Sequence, residues 1–187
     1  MTKNNETSST NIQAIAQRFS LAGWISFWIQ LVLGVISGIV LLFAFFGQRL
    51  DSPSNNPGTG FGAFLAVCGL ILLGAGIYLA FRYTRIGKQL ESSNPSNRPR
   101  KQDSVQVIRL GVWISLGGVL LTVLGAQALV GTLVARALST QGTIVQLNDP
   151  NRINGLDMLL VQANTNTILA HFASLVASLF LLNRITK

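Results

Sequence analysis

Charged side chains are absent from four long stretches of this 187-residue chain, Phe19–Gln48, Ser52–Phe81, Leu110–Ala135 and Met158–Asn183. A hydrocarbon core takes roughly 20 apolar residues of helix to cross, and charge-free windows of 18 or more are the usual sign of a span. No Asp or Glu lies in any window, which excludes an intramembrane carboxylate pair. Cysteine occurs once, as Cys68 inside the second window. That excludes an intramolecular disulfide and any Cys-based metal motif, and leaves Cys68 as a small apolar core residue. Histidine also occurs once, as His171, whereas iron and zinc sites gather several His, Cys or carboxylate ligands. HExxH, GxSxG and P-loop patterns are missing, so neither an enzyme nor a resident cofactor is expected.

What is present is apolar, with 49% hydrophobic residues. Backbone amides cannot stay unpaired in lipid, so each window should be a helix. The expected fold is all-α, a four-helix transmembrane bundle in one integral membrane domain over residues 1–187, with spans near 21–46, 61–82, 108–134 and 158–182. Too little chain remains outside the spans for a separate soluble domain. Before the first span, Ile12, Ile15, Ala16 and Phe19 recur at helical spacing, which predicts a short N-terminal amphipathic helix on the membrane interface. Asp103 followed by Gln106 predicts a helix start ahead of the third span. Thr143–Leu147, in the loop after that span, has the pattern of a short strand.

Lys and Arg accumulate on the cytoplasmic side of a membrane. The N-terminal tail, the middle loop (Arg82 to Arg109) and the C-terminus together carry eleven basic residues, against Arg49, Arg136 and Arg152 on the other side. Both termini and the middle loop should therefore face the cytoplasm or stroma. Trp24, Trp28, Tyr78, Tyr83 and Trp113 fall near the same end of the spans, at the level where an amphipathic ring is accommodated. The net charge of +8 is thereby explained by topology, and nucleic acid is not an expected partner. The N-terminus lacks the pattern of a signal or transit peptide, which favours a bacterial membrane or a mature form from which such a peptide was omitted.

In the third span Gly111, Ser115, Gly118, Thr122 and Gly125 repeat at spacings of 4, 3, 4 and 3, and the first span offers Gly34 and Gly38 as a GxxxG pair. Bare seams of this kind let helices approach closely, and packing drives association in lipid. They suit either the bundle itself or a homo-oligomer. Gln30, Gln127, Asn164, Asn166 and His171 are polar at depth, and such groups are costly in lipid unless they face the bundle interior. They form the candidate site, with no metal ligand set assigned. His171 reads either as a transient ligand or proton carrier, or as a side chain hydrogen-bonded between helices. Because one bundle offers so few ligands, a transport reading calls for an oligomeric pore with Gln30 and His171 repeated around its axis. Leu21–Ser26 and Leu110–Ser115 are alike, as a duplicated two-helix unit would make them.

Arg18-Phe-Ser-Leu-Ala-Gly-Trp-Ile-Ser-Phe-Trp-Ile-Gln-Leu31 and Val161-Gln-Ala-Asn-Thr-Asn-Thr-Ile-Leu-Ala-His-Phe172 resemble the DUF3611 family of cyanobacteria and plastids. The resemblance implies a cyanobacterial inner or thylakoid membrane protein, or a plastid inner-envelope protein. It also implies one of two roles proposed for plant members: an iron or other metal-ion permease, or an accessory of protein import and assembly. Transport is the first expectation and a non-catalytic accessory the alternative. The expected partners are the lipid bilayer and either further copies of the chain or other membrane proteins.

Overall fold

A computed structural model describes residues 2–50, 57–92, 99–139, 153 and 155–186. These form four helices, α1 (Thr2–Leu50), α2 (Pro57–Leu90), α3 (Lys101–Ser139) and α4 (Gly155–Thr186). No strand occurs among the described residues, and Thr143–Leu147 lies outside them. Within the helices, Gln13–Phe46, Gly60–Leu90, Lys101–Ser139 and Gly155–Ile185 are long and apolar enough to cross a membrane. The protein is all-α and its helices are built to span a bilayer.

Burial has the sense required by lipid. Leu42, Phe43, Ile71, Leu120 and Phe172 are exposed, while Ser37, Thr122, Asn164 and His171 are buried. Lipid tails are as apolar as Leu, so apolar side chains gain nothing by turning inward, whereas an unpaired polar group facing lipid costs free energy.

Helices α3 and α4 each bury a seam of period 3.5, and α2 buries adjacent pairs such as Leu65 and Ala66. In α4 the seam is Asp157, Leu160, Asn164, Thr167, His171, Ser174, Ser178, Leu181 and Ile185. In α3 it runs from Ser104 through Ile108, Gly111, Ser115, Gly118, Thr122 and Gly125 to Leu129. That period is the one at which supercoiled helices stay in contact along their whole length. The helices pack in the cyclic order α1, α2, α3, α4, with α2 and α4 the closer diagonal pair. One end of the bundle is closed by Phe19, Tyr83, Ile108, Leu181 and Ile185. The other is closed by Leu41, Ala44, Ala66, Leu160 and Ala163, and beyond it Arg136 and Asp157 pair at 3.6 Å across α3 and α4. The first of these is the basic end.

Several elements differ from expectation. The amphipathic segment is not a separate interfacial helix: α1 runs unbroken from Thr2, with no Pro or Gly before Gly23 to interrupt it. Ala16 and Phe19 of its apolar stripe are spent on protein rather than headgroups, because α2 and α4 extend far enough to bury them. Helix α3 starts at Lys101, so Asp103 sits inside its first turn, favourably placed for the helix dipole, while the Ser104 amide donates to the Arg100 carbonyl at 3.2 Å. The five-residue seam of α3 is entirely buried within the chain, which excludes it as a self-association surface.

The closest approach of α1 to α2 is not at Gly34 and Gly38. A Cβ at Gly34 would meet only side chains, Leu73 at 3.1 Å and Ile77 at 3.7 Å, and one at Gly38 only Leu70 Cδ2, at 3.7 Å. At Gly23 and Gly87 it would meet backbone: Thr84 N at 2.9 Å from Gly23, Ser20 N at 2.7 Å from Gly87. The paired segments at residues 21 and 110 agree in burial at three of six positions and differ at Ala22/Gly111, Gly23/Val112 and Ile25/Ile114. Leu21 and Leu110 are exposed, Trp24 and Trp113 are exposed, and Ser26 and Ser115 are buried.

Candidate functional site

Helix α4 supplies most of the polar interior. Asn164, Thr167, His171, Ser174 and Ser178 fall on one stripe because their spacing of 3 and 4 residues follows the helical repeat. Their bonds tie α4 to α2 and α3, and the neighbouring Ala163 carbonyl ties it to α1. Asn164 Nδ2 donates to the Thr122 carbonyl of α3 at 2.8 Å. Ser115 Oγ donates to Ser174 Oγ at 2.9 Å, and Ser37 Oγ of α1 donates to the Ala163 carbonyl at 2.9 Å. His171 Nε2 lies 3.0 Å from the Gly69 carbonyl of α2. A carbonyl only accepts, so Nε2 carries the proton. Tyr83 and Ser178 hydroxyls meet at 3.1 Å, a second link across the α2–α4 diagonal.

The larger polar side chains enter notches left by glycine on a neighbouring helix. A Cβ at Gly118 would fall on the His171 ring, one at Gly111 on the Tyr83 hydroxyl, one at Gly69 on the Thr122 methyl, and one at Gly76 on the Gln30 amide at 2.6 Å. The seams therefore do more than bring backbones together. They make room for the buried polar groups.

Three atoms in this interior lack a hydrogen-bond partner: Gln30 Oε1, Asn164 Oδ1 and His171 Nδ1. Gln30 is anchored through its other end, Nε2 donating to Ser26 Oγ at 2.7 Å and to the Ser26 carbonyl at 3.1 Å. Buried polar atoms without partners are rare in folded proteins and call for an explanation. The three do not converge. Asn164 and His171 are seven residues apart on one helix, about 10 Å along its axis. Gln30 lies against Gly76 and His171 against Gly69, again seven residues apart on α2. The arrangement is a ladder along the bundle axis.

Of the five residues singled out from sequence, Gln30, Asn164 and His171 are buried to 0%, 1% and 0% exposure. Gln127 is exposed and does not belong to the interior: the α3 seam passes through Thr122 and Gly125, which turns position 127 outward. Asn166 is half-buried and accepts from the exposed Gln162 Nε2 at 3.1 Å, on the outer side of α4. An intermolecular pore lined by Gln30 and His171 does not fit, since both face the inside of a single bundle. Ser26, Ser37, Ser174 and Ser178 join the interior without having been singled out, and so does Tyr83, which the sequence places with the interfacial aromatics. For those on α4, the signal lay in the sequence as the unbroken 3-4 spacing shared with Asn164 and His171.

No group of three His, Cys, Asp or Glu side chains comes together among the described residues. The interior offers neutral oxygens and one imidazole, strung out singly, so a chelating metal centre is not built here. What it can do chemically is accept hydrogen bonds or contact a partly dehydrated cation at successive levels.

The chain is similar to "Protein TIC 21, chloroplastic" of Arabidopsis thaliana, at 32% identity over 196 residues, covering 97% of this chain and 64% of the relative. It thus spans less than two thirds of that relative's length. No solved structure matches it. Residues 9–186 match the family described as "Protein of unknown function (DUF3611)", and the chain belongs to that family.

Proposed function

We propose that this protein is a membrane transport protein, without enzymatic activity or resident cofactor, whose cargo is a metal cation, iron first among the candidates. The single observation that carries the reading is the ladder of buried acceptors, Gln30 Oε1, Asn164 Oδ1 and His171 Nδ1, enclosed between two apolar plugs. Desolvated acceptors at membrane depth are expensive and are characteristic of substrate and ion pathways. Amide oxygen and imidazole nitrogen together suit a borderline transition-metal ion more than sodium or potassium. The interior as folded is filled at Gly69, Gly76 and Gly118, so passage requires α4 to move against its neighbours, as packed helices do in alternating access. The basic end faces the cytoplasm or stroma in this reading, and the membrane is a cyanobacterial inner or thylakoid membrane or a plastid inner envelope.

The test is iron(II) uptake into proteoliposomes. His171→Ala and Asn164→Leu are expected to lower flux at least about tenfold, in line with the cost of losing a polar contact in a dehydrated site. Gln127→Leu, on the exposed face, leaves it unchanged. Equal flux in all three variants removes the proposed path.

The same tight filling favours a second reading, a non-catalytic accessory of a membrane complex for protein translocation or assembly. Trp24, Phe27 and Trp28 of α1 contact one another as a ridge that a larger partner can grip. Mild detergent extraction separates the two: a stoichiometric foreign partner supports the accessory, and a homo-oligomer or free chain with iron flux supports the transporter.

A further inference from the structure

A cavity of about 480 Å³ lies between α2 and α3 at the basic end, outside the interior ladder. Its size is that of a small-molecule site. Helix α2 contributes one stripe, Tyr78, Arg82, Arg85 and Gln89, at spacings of 4, 3 and 4, and the cavity is floored by Ile86 and Val107, both buried. Phe81 stands at its edge, exposed, with its ring 6.3 Å from that of Phe27. The charge-free window of α2 ends at Phe81, and Arg82 and Arg85 follow at once. The cavity therefore straddles the depth at which hydrocarbon gives way to headgroups, with Tyr78 and Phe81 in its lining.

Neither Arg82 nor Arg85 has a carboxylate within 4.0 Å among the described residues. Asp103, from the first turn of α3, is the acid in the lining. Two guanidiniums against one carboxylate leave the cavity positive, and Asp103 and Gln89 remain as acceptors for hydroxyl groups.

We propose that this cavity is a binding site for an anionic glycerolipid. The phosphate is held between Arg82 and Arg85, the headgroup hydroxyls are met by Asp103 and Gln89, and an acyl chain descends past Phe81 and Tyr78. Basic pockets between membrane helices on the side with most Lys and Arg are where anionic headgroups lodge. Guanidinium is the side chain best suited to fork onto a phosphate. The apolar edge is what distinguishes this ligand from a soluble anion: inorganic phosphate uses the arginines and nothing else, while a phosphatidylglycerol fills the polar and apolar halves together. The inference is independent of what, if anything, the protein transports.

Native mass spectrometry of the full chain, released from nanodiscs of equal phosphatidylglycerol and phosphatidylcholine, tests the assignment. Wild type is expected to retain phosphatidylglycerol in preference to phosphatidylcholine. Arg82→Gln/Arg85→Gln reduces that retention by more than about tenfold, from loss of the charge-assisted bonds. Lys88→Gln/Lys101→Gln removes the same charge from the same end without touching the cavity, and should stay within about threefold of wild type. If the double arginine variant does not fold, Arg85→Gln alone, on an exposed helix face, is expected to lose about tenfold. Equal retention of the two lipids by wild type, equal losses in the arginine and lysine pairs, or unchanged retention in Arg85→Gln would each overturn the proposal. So would inorganic phosphate bound tightly by delipidated protein that shows no lipid preference.

Discussion

The closest approach of α1 and α2 gives a prediction that pits the tertiary structure against the motif. Gly87→Ala places a Cβ 2.7 Å from Ser20 N, 2.9 Å from the Ala16 carbonyl oxygen and 3.1 Å from Ser20 Cα. All three are backbone atoms of α1, so no rotamer change relieves them and α1 must move outward by several tenths of an ångström. The same seam holds Gly23, whose neighbours are the Thr84 amide at 2.9 Å and the Ala80 carbonyl at 3.0 Å. A gap of 0.5–1 Å along such a contact forfeits a quarter to a half of its dispersion energy. Overpacking costs about 1–3 kcal/mol, and the better helix propensity of Ala returns up to about 1 kcal/mol. The net expectation is destabilisation by about 1–2 kcal/mol. Gly38→Ala meets only Leu70 Cδ2 at 3.7 Å, an ordinary contact, so propensity dominates and the protein gains up to about 1 kcal/mol. Reversible unfolding in mixed micelles, titrated with SDS and followed by circular dichroism, reads both midpoints. A reading from GxxxG alone expects Gly38 to be the sensitive position. If Gly38→Ala proves as damaging as Gly87→Ala, the reasoning fails.

Gly118→Ala drives a methyl into the His171 ring, which is held from its other side by the bond to the Gly69 carbonyl. Overpacking and the strained hydrogen bond together predict a loss of about 2–4 kcal/mol by the same titration, with His171→Ala in the same chain restoring part of it. Asp157→Asn leaves the Arg136 guanidinium, 11% exposed and 3.6 Å away, without that ion pair. A loss of about 1–3 kcal/mol is expected, below the full cost for a wholly buried pair because the site is at the bundle end, and Arg136→Gln/Asp157→Asn should recover part of it. Additive losses in that double variant would show that the two side chains are not coupled.

How much of this could be read from the residues depends on which physical constraint each feature obeys. His171, Gln30 and Asn164 were legible because a polar group in an otherwise apolar window has one tolerable place, the bundle interior. The same rule misplaced Gln127, because depth in the membrane says nothing about which side of a helix a residue occupies. The seam could have corrected it, since position 127 falls between the buried Gly125 and Leu129. Ser174 and Ser178 were passed over because Ser lies unremarkably in any helix, its hydroxyl able to bond its own backbone. Tyr83 was placed with the interfacial aromatics, where Tyr is common, yet it is 1% exposed and bonds Ser178. Only the neighbouring Gly111 makes space for it there.

By itself the sequence determined the solvent, the number of spanning helices and which polar residues must avoid lipid. These follow from transfer free energies of single residues and short windows, which need no knowledge of neighbours. The tertiary structure alone decided where helices touch most closely, that the acceptors form a ladder rather than a cluster, that the interior belongs to one bundle, and that Arg82 and Arg85 border a cavity. Each of these depends on which residue of another helix lies opposite, and a glycine notch is defined by the side chain that fills it.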